Sequence, residues 1–139
     1  MSAHTHERAP IRELMTPAPV TIGREQSLEL AQRRMREHDI RHLPVLEGGR
    51  IIGILSDREL ELVESLPGVD AHTTRVEEAM VADPYTVDPD TPLRDVISYM
   101  AEHKFGTAVV AGSGGLALLG IFSTSDALAA CAAHLRGLA

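Results

Sequence analysis

Two serines of this chain each stand three positions before an acidic residue, and both pairs could do the same chemistry. Ser123 precedes Asp126, and Ser56 precedes Glu59. If a serine begins a helix, the free N–H groups and the positive dipole end there suit a phosphate. A carboxylate can accept two hydrogen bonds, which suits the cis-diol of a ribose. The same spacing is typical of a capping box, in which the pair satisfies the helix's own first amides. The residues alone leave both interpretations open.

An internal repeat predicts that these pairs occupy equivalent positions. Residues 15–22 align with residues 80–87 at an offset of 65, without gaps as far as Val45 and Val110. Further along, residues 53–56 align with residues 120–123 at an offset of 67. The additional residues fall in a glycine-rich turn, where insertions cost little. Matched blocks in the same order indicate a duplication.

Each half is predicted to contain a short strand, a helix, two strands and a closing helix. Apolar residues recur with helical spacing across residues 93–100. Ser27 and Thr91 are the candidate N-caps, with Pro92 at the first helical position of the second half. Glycine-containing turns join the two later strands of each half and predict hairpins. These strands are expected at 43–46 and 51–55, and at 107–111 and 117–122.

The predicted fold class is mixed α+β or α/β, with two βαββα repeats packed with pseudo-two-fold symmetry. Packing is expected because a half of about 60 residues buries too little apolar surface to be stable alone. The predicted parts are a flexible polar N-terminus at 1–10, a first repeat at 11–66, a linker at 67–74 and a second repeat at 75–136.

Composition argues against two classes of partner and indicates a compartment. The net charge is −7, and the chain has two Phe, two Tyr and no Trp, so it lacks the positive field and stacking surfaces of nucleic-acid binders. It contains no apolar run of about 18 residues, so no membrane span is expected. One cysteine fits a reducing compartment, and the cytoplasm is the predicted location.

The repeated motifs resemble those of a tandem CBS-domain pair, also called a Bateman module. In the first half the resemblance rests on Met15-Thr16-Pro17 and on residues 40–45 and 53–60. In the second half it rests on Met80, Pro84 and residues 105–110 and 120–126. It covers about residues 11–136 and implies a regulatory module rather than an enzyme. It further implies two clefts between the repeats, a homodimer, and an adenosine-containing ligand such as AMP, ADP, ATP or S-adenosylmethionine, with no obligatory cofactor.

The resemblance also implies site residues, and it favours the cleft of the second repeat. In the family, the helix-start Ser or Thr contacts phosphate and the following Asp binds the ribose hydroxyls. The favoured cleft therefore comprises Ser123, Asp126, Ile121, Thr16, Pro17, Ile40, Arg41, His42 and Pro44. Where related proteins often carry a phosphate-binding cation, this cleft has Gly106 and Thr107.

The cleft of the first repeat is expected to be weaker, because Glu59 is one methylene longer than the family's aspartate. Asp83 near the adenine rim would also disfavour anionic groups. The residues expected there are Ser56, Arg58, Glu59, Ala82, Asp83, Tyr85, Phe105 and Val109.

Three further features are weighed against ordinary structural roles. His4-Thr5-His6 lacks a third ligand, so no metal site is expected. Cys131 lies on an apolar stripe and is predicted to be a buried core thiol. The closing helices, at Leu60, 62–66 and 128–135, are expected near a self-association surface, with packing inside the module as the alternative. The alternative function is a ligand-free dimerisation or adaptor module, and the regulated partner is unknown.

Overall fold

The structure is a computed structural model that describes residues 7–138. Its strands are β1 (Thr16–Pro17), β2 (Ile22–Gly23), β3 (His42–Glu47), β4 (Arg50–Ser56), β5 (Val81–Ala82), β6 (Thr86–Val87), β7 (Thr107–Gly112) and β8 (Ala117–Ser123). Its α-helices are α1 (Leu28–His38), α2 (Asp57–Glu64), α3 (Leu93–His103) and α4 (Thr124–Leu138). Short 3-10 helices occupy Ile11–Glu13, Val76–Glu78 and Ser113–Gly115. The predicted mixed α+β fold with two βαββα repeats is confirmed.

The chain divides into two compact units that differ from the two sequence repeats. The middle unit is Pro19–Pro84, and the terminal unit combines Met1–Ala18 with Tyr85–Ala139. The difference arises because the first strand of each repeat joins the sheet formed by the later strands of the other repeat: β1 pairs with β8, and β5 pairs with β4. The repeat and linker boundaries given above remain predictions from the sequence.

Equivalent hydrogen bonds hold the exchanged segments in the two units. In the terminal unit, Leu93 N donates to Ala9 O at 2.8 Å, and in the middle unit Leu28 N donates to Thr74 O at 3.0 Å. Each bond satisfies one of the first amides of a helix, which have no partner inside the helix. Ala9 falls in the predicted flexible N-terminus, so the end of that segment makes defined contacts. Residues 1–6 of it lie outside the described residues.

The sheet of the middle unit has the strand order β2-β3-β4-β5. Strand β2 runs parallel to β3, and the other pairs are antiparallel. The glycine turn after β3 has positive φ at Gly48 and Gly49, as the predicted hairpin requires. The face of α1 that carries Leu28, Ala31 and Met35 is buried, which confirms the predicted apolar stripe.

The sheet of the terminal unit has the strand order β1-β8-β7-β6. Its core contains Phe122, which is fully buried, together with the α3 residues Leu93, Val96 and Met100. The unit therefore buries β8 and α3 against each other, and this places the end of β8 and the start of α4 at the edge of the core. Ser123 and Asp126 lie at that point.

The N-cap predicted from the sequence is confirmed for the helix of the first half and is wrong for the helix of the second half. Ser27 caps α1, because its side chain accepts a hydrogen bond from Leu30 N at 3.2 Å. The prediction for α3 is wrong by one residue: Pro92, not Thr91, is the N-cap, and the helix begins at Leu93. Proline has no side-chain acceptor, so the first amide of α3 bonds to the carbonyl of Ala9 instead.

A glycine in each unit lets the exchanged segment approach closely. A Cβ at Gly120 would lie 2.5 Å from Met15 Sδ and 2.7 Å from Thr16 O, and a Cβ at Gly53 would lie 2.7 Å from Met80 Sδ. The carbonyl of Thr16 belongs to β1 and cannot rotate away as a side chain can. Gly120 is therefore needed for β1 to pair with β8.

Gly120→Ala is expected to lower the free energy of unfolding by about 1–3 kcal/mol, because β1 must move away from β8. Chemical denaturation followed by circular dichroism measures this change. The matched control is Gly23→Ala, whose Cβ would meet Gln26 Cγ at an ordinary 3.6 Å. It is expected to change the free energy by less than about 1 kcal/mol. Equal losses in the two variants would contradict the proposed role of Gly120.

Candidate functional site

Ser123 and Asp126 form a reciprocal pair where β8 passes into α4. Ser123 N donates to Asp126 Oδ2 at 2.9 Å, and Ser123 Oγ donates to the same oxygen at 3.1 Å. Asp126 N in turn donates to Ser123 Oγ at 3.4 Å. The capping arrangement, one of the two interpretations left open by the sequence, is therefore present.

A strand from the far end of the sequence completes this pair. Strand β1 runs antiparallel to β8 with Thr16 opposite Ile121, and Thr16 Oγ1 donates to Asp126 Oδ2 at 3.5 Å. Every hydrogen bond to the Asp126 carboxylate that is described above ends on Oδ2. In the described part of the chain, Oδ1 of Asp126 has no hydrogen bond, and the residue is only partly buried. One carboxylate oxygen holds the helix start, and the other can accept hydrogen bonds from a ligand.

The equivalent pair in the middle unit lacks the third contact. Ser56 N donates to Glu59 Oε1 at 3.1 Å, and Glu59 N donates to Ser56 Oγ at 3.4 Å. The residue equivalent to Thr16 is Val81, which has no hydroxyl to donate. Ser56 itself is buried and Arg58 is exposed. The two serine–acid pairs share their helix caps but differ in the group that approaches from the exchanged strand.

Beside Ser123 lies a polar group that the sequence indicated only as a replacement for the cation that related proteins often carry there. Thr107 lies directly opposite Ser123 across β7 and β8, so both side chains point to the same face of the sheet. Thr107 Oγ1 is buried and has no hydrogen-bond partner among the described residues. A buried hydroxyl without a partner costs about 1–3 kcal/mol. The alignment of Thr107 with His42 at the offset of 65 was the available signal.

Backbone hydrogen bonds tie the starts of α2 and α4 to the residues just before β3 and β7. Asp57 N donates to Arg41 O, and Thr124 N donates to Gly106 O, both at 3.0 Å. Thr124 Oγ1 also donates to Gly106 O at 3.1 Å. The first amide of α2 is therefore bonded to the residue before β3, and the first amide of α4 to the residue before β7. The same hydrogen bond recurs in the two units.

The residues predicted for each cleft are distributed over both units. The terminal unit holds Thr16, Pro17, Ile121, Ser123 and Asp126 of the favoured cleft and Tyr85, Phe105 and Val109 of the weaker one. The middle unit holds Ile40, Arg41, His42 and Pro44 of the favoured cleft and Ser56, Arg58, Glu59, Ala82 and Asp83 of the weaker one. The contribution of each group to the site in the other unit stays a prediction.

Aromatic rings gather in the terminal unit. Tyr85 stacks on Tyr99 with ring centroids 4.4 Å apart and lies 5.7 Å from Phe105. His103 stacks on Tyr99 at 4.0 Å. Burial raises the pKa of the Tyr85 phenol, and the nearby Tyr99 and Asp95 raise it further. Tyr99 and His103 were not among the predicted site residues, although their spacing of four on α3 places them on one helix face.

Helix α4 is apolar on two sides, and this overturns one prediction. Ala130 is buried in the core, whereas Leu128 and Leu135 are 66% and 64% exposed. Cys131 was predicted to be a core thiol, and that prediction is wrong because the residue is exposed. Within residues 7–138, each helix is too short or too polar to cross a lipid bilayer.

Comparison with known proteins points to one family. The sequence profile of the CBS domain matches residues 11–62 and 76–133. The chain is 28% identical over 116 residues to the CBS domain-containing protein YhcV of Bacillus subtilis, covering 84% of this chain and 81% of YhcV. It is 32% identical over 107 residues to the inosine-5'-monophosphate dehydrogenase of Korarchaeum cryptofilum, covering 77% of this chain but 21% of that enzyme.

Solved structures agree with this match. A Vibrio cholerae protein assigned to acetoin utilization (AcuB) superposes with a TM-score of 0.80 at 30% identity, covering 91% of this chain and 93% of AcuB. Further solved structures, less than 25% identical in sequence to this chain, share its fold. They include CBSX2 with AMP (TM-score 0.79, 23% identity, 90% and 97% of the two chains). The MJ0100 domain pair contains 5-methylthioadenosine and S-adenosyl-L-methionine (0.80, 19%, 90% and 97%). A CNNM/CorC-family Mg²⁺ transporter domain contains ATP (0.79, 24%, 93% and 91%).

Proposed function

Because this chain belongs to the CBS-domain family, we propose that it is a regulatory module that binds an adenosine-containing ligand and signals through a homodimer. The ligand is AMP, ADP, ATP or S-adenosylmethionine, bound without an obligatory cofactor. CBS-pair structures with this fold were solved with AMP, with S-adenosylmethionine and with ATP, which supports the ligand class. Cysteine usage favours the cytoplasm as its location.

The observation that carries this proposal is the unequal use of the two oxygens of Asp126. Oδ2 accepts from Ser123 and Thr16 and holds the carboxylate in place. The lone pairs of Oδ1 are then left for a ligand, and both hydroxyls of a vicinal diol can donate to this oxygen. The helix cap and the ribose site are thus compatible roles of one side chain.

Thr107 and the start of α4 supply the phosphate end of this site. The buried Thr107 hydroxyl can donate to a phosphate oxygen, and the positive dipole end at the N-terminus of α4 attracts the negative charge. Ile40, Arg41, His42 and Pro44 are proposed to complete the site from the first repeat. The weaker cleft uses Ser56, Arg58 and Glu59 with Ala82, Asp83, Tyr85, Phe105 and Val109.

Thr107→Val is expected to weaken AMP binding by about 5- to 15-fold, since one hydrogen bond to a charged group contributes about 1–1.5 kcal/mol. Adenosine has no phosphate, so its affinity is expected to stay within about twofold of the wild-type value. Calorimetric titration of both proteins with both ligands measures the difference. Equal losses for AMP and adenosine would remove Thr107 from the phosphate end of the site.

The homodimer is proposed to form through the apolar surfaces of α2 and α4. On α4 the exposed side chains of Leu128, Cys131 and Leu135 recur at helical spacing. On α2 and just after it, Leu62 and Leu66 are exposed. A helix that is apolar on its core side and again on its solvent side is typical of one that packs against a partner. A bound ligand shifts such a dimer only by its different affinities for the two states.

A ligand-free adaptor is the alternative function, and the capping boxes favour it. Ser56 with Glu59 and Ser123 with Asp126 satisfy each other's helix-start groups without any ligand. In this alternative the chain serves only to dimerise or to join partners. No catalytic role is proposed in either case, although the matched dehydrogenase shows that such domains also occur as parts of larger enzymes.

Thermal unfolding in the presence of AMP, ADP, ATP and S-adenosylmethionine, with GTP as control, separates the two functions. A ligand present at 100 times its Kd stabilises the folded state by about 2.7 kcal/mol. For a chain of this size this raises Tm by several degrees. We expect at least one adenosine ligand to do so in the wild-type protein and not in Asp126→Ala. Identical Tm values with all ligands would favour the adaptor.

A further inference from the structure

A cavity of about 390 Å³ lies between α3 and α4 in the terminal unit. Its volume is within the range of about 300–1,000 Å³ that is typical of small-molecule sites. Of the described residues that line it, none belongs to the adenosine site proposed above. The cavity therefore has the size of a binding site and no role in that function.

Matching faces of the two helices form most of this cavity. On each helix the lining residues occupy positions i, i+1, i+4 and i+5, beginning at Leu93 on α3 and at Ala130 on α4. Residues at this spacing lie on one face of a helix. The α4 face includes the small side chains of Ala130 and Cys131, which leave space that Leu93 and Ile97 of α3 do not fill. The resulting wall is mainly apolar.

His134 supplies a hydrogen-bonding atom in this apolar wall. Its Nδ1 atom is buried and makes no hydrogen bond within the described residues, and the residue lines the cavity. A buried polar atom without a partner is costly, so a ligand that bonds to it removes that cost. A hydroxyl group both donates and accepts, and it therefore matches Nδ1 in either tautomer of the neutral ring.

The charged side chains that line the cavity have opposite signs. Arg94 contributes a guanidinium and Glu7 a carboxylate. A charged ligand is attracted by one of these groups and repelled by the other. A charge also loses its hydration when it enters an apolar site, which is costly unless it is paired there. The balance of charges therefore favours a neutral ligand.

We propose that the cavity between α3 and α4 binds an uncharged molecule that has an apolar body and one hydroxyl group, such as a phenol. The apolar body packs against Leu93 and Ile97 of α3 and Ala130 of α4, and the hydroxyl bonds to Nδ1 of His134. The site lies wholly within the terminal unit and does not depend on the binding of adenosine ligands.

NMR titration of the isotope-labelled full chain with p-cresol tests this proposal. Toluene, p-toluate and p-methylbenzylammonium are the comparison ligands, because they keep the tolyl body and change only the polar group. We expect p-cresol to shift the amide signals of residues 93–98 and 130–135 in a saturable manner. Both charged ligands are expected to bind at least about 10-fold more weakly than p-cresol.

His134→Phe keeps an aromatic ring at the cavity but removes Nδ1. It is expected to lower the affinity for p-cresol about 5- to 10-fold and to leave that for toluene within about twofold, since toluene has no hydroxyl to bond to Nδ1. Equal affinities for p-cresol in His134→Phe and the wild-type protein would overturn the assignment of His134 and with it the proposal.

Cys131→Phe and Ala132→Phe form a matched pair that locates the binding site. Both positions are exposed on α4, but Cys131 lines the cavity and Ala132 does not. Cys131→Phe places a ring in the cavity and is expected to lower the affinity for p-cresol at least about 10-fold. Ala132→Phe is expected to bind p-cresol as the wild-type protein does. Wild-type affinity in Cys131→Phe would overturn the proposal.

A second copy of the chain is the competing occupant, because Cys131 and Leu135 also belong to the surface proposed for the homodimer. Repeating the p-cresol titration over a range of protein concentrations distinguishes the two. We expect the same affinity at all concentrations. An affinity that falls as the dimer fraction rises would assign the cavity to the second copy and overturn the proposal, as would signal changes confined to residues outside α3 and α4.

Discussion

Asp126→Ala is expected to weaken the binding of the adenosine ligand by about 100-fold. The ribose diol donates two hydrogen bonds to this carboxylate, and each bond to a charged group contributes about 1.5 kcal/mol or more. A loss of about 3 kcal/mol corresponds to about a 100-fold change in Kd. Isothermal titration calorimetry with the ligand that binds the wild-type protein measures this directly.

Alanine also removes the carboxylate half of the capping box, so a second variant separates the two roles of Asp126. Asp126→Asn keeps one carbonyl oxygen for Ser123 N but replaces the other oxygen with an amide that cannot accept. It is expected to lose binding while avoiding most of the roughly 1 kcal/mol of stability that Asp126→Ala loses with the hydrogen bonds from Ser123 to the carboxylate. Glu59→Gln makes the same change in the other capping box.

Glu59→Gln is expected to bind the ligand of the Asp126 site with nearly wild-type affinity. The reason is that the capping box of Glu59 lacks the contact that Thr16 gives Asp126, which makes its cleft the weaker one. Two results would contradict the ranking of the clefts. One is wild-type affinity in Asp126→Asn. The other is a loss in Glu59→Gln as large as in Asp126→Asn.

The double variant Leu128→Asp/Leu135→Asp is expected to convert the homodimer to a monomer. Both side chains are exposed in the single chain, at 66% and 64%, so the folded chain tolerates a charge there. In the dimer, α4 would bury each carboxylate against apolar surface without a partner, which costs several kcal/mol. Sedimentation velocity over a range of protein concentrations measures the mass of the species in solution.

The control for charge alone is Leu116→Asp. Leu116 is 47% exposed, follows the 3-10 turn before β8 and belongs to neither α2 nor α4. It is expected to remain a dimer with wild-type mass. A dimeric double variant, or a wild-type protein that is monomeric at all concentrations, would exclude α4 as the self-association surface.

The serine–acid pairs were predictable because a duplicated sequence and local helix rules specify them. The alignment places Ser123 and Ser56 at equivalent helix starts, and the structure confirms a capping box at each. What the sequence could not decide was the role of the acid, because a cap and a ribose site need the same residue types at the same spacing. The hydrogen bonds from Ser123 and Thr16 show that one oxygen of Asp126 holds the cap, and the other has no hydrogen bond within the described residues.

Most of the features that the sequence did not predict depend on contacts between segments that are distant along the chain. Strands β1 and β5 have two residues each and show no alternating pattern, so local patterns do not predict their exchange between sheets. The family resemblance alone placed Thr16 and Pro17 in one cleft with Ser123 and Asp126. The unpartnered hydroxyl of Thr107 follows from its register opposite Ser123, which also depends on long-range pairing. Cys131 was placed in the core because its helix is apolar, but α4 has a second apolar side that faces solvent.

The most direct test of the central claim is calorimetric titration of the wild-type protein with AMP, ADP, ATP and S-adenosylmethionine. The account predicts saturable binding of at least one of them, with the stronger site requiring Asp126. It also predicts that GTP, offered under the same conditions, does not compete for that site. No heat of binding from any of the four up to millimolar concentration would contradict the account and leave the chain as an adaptor.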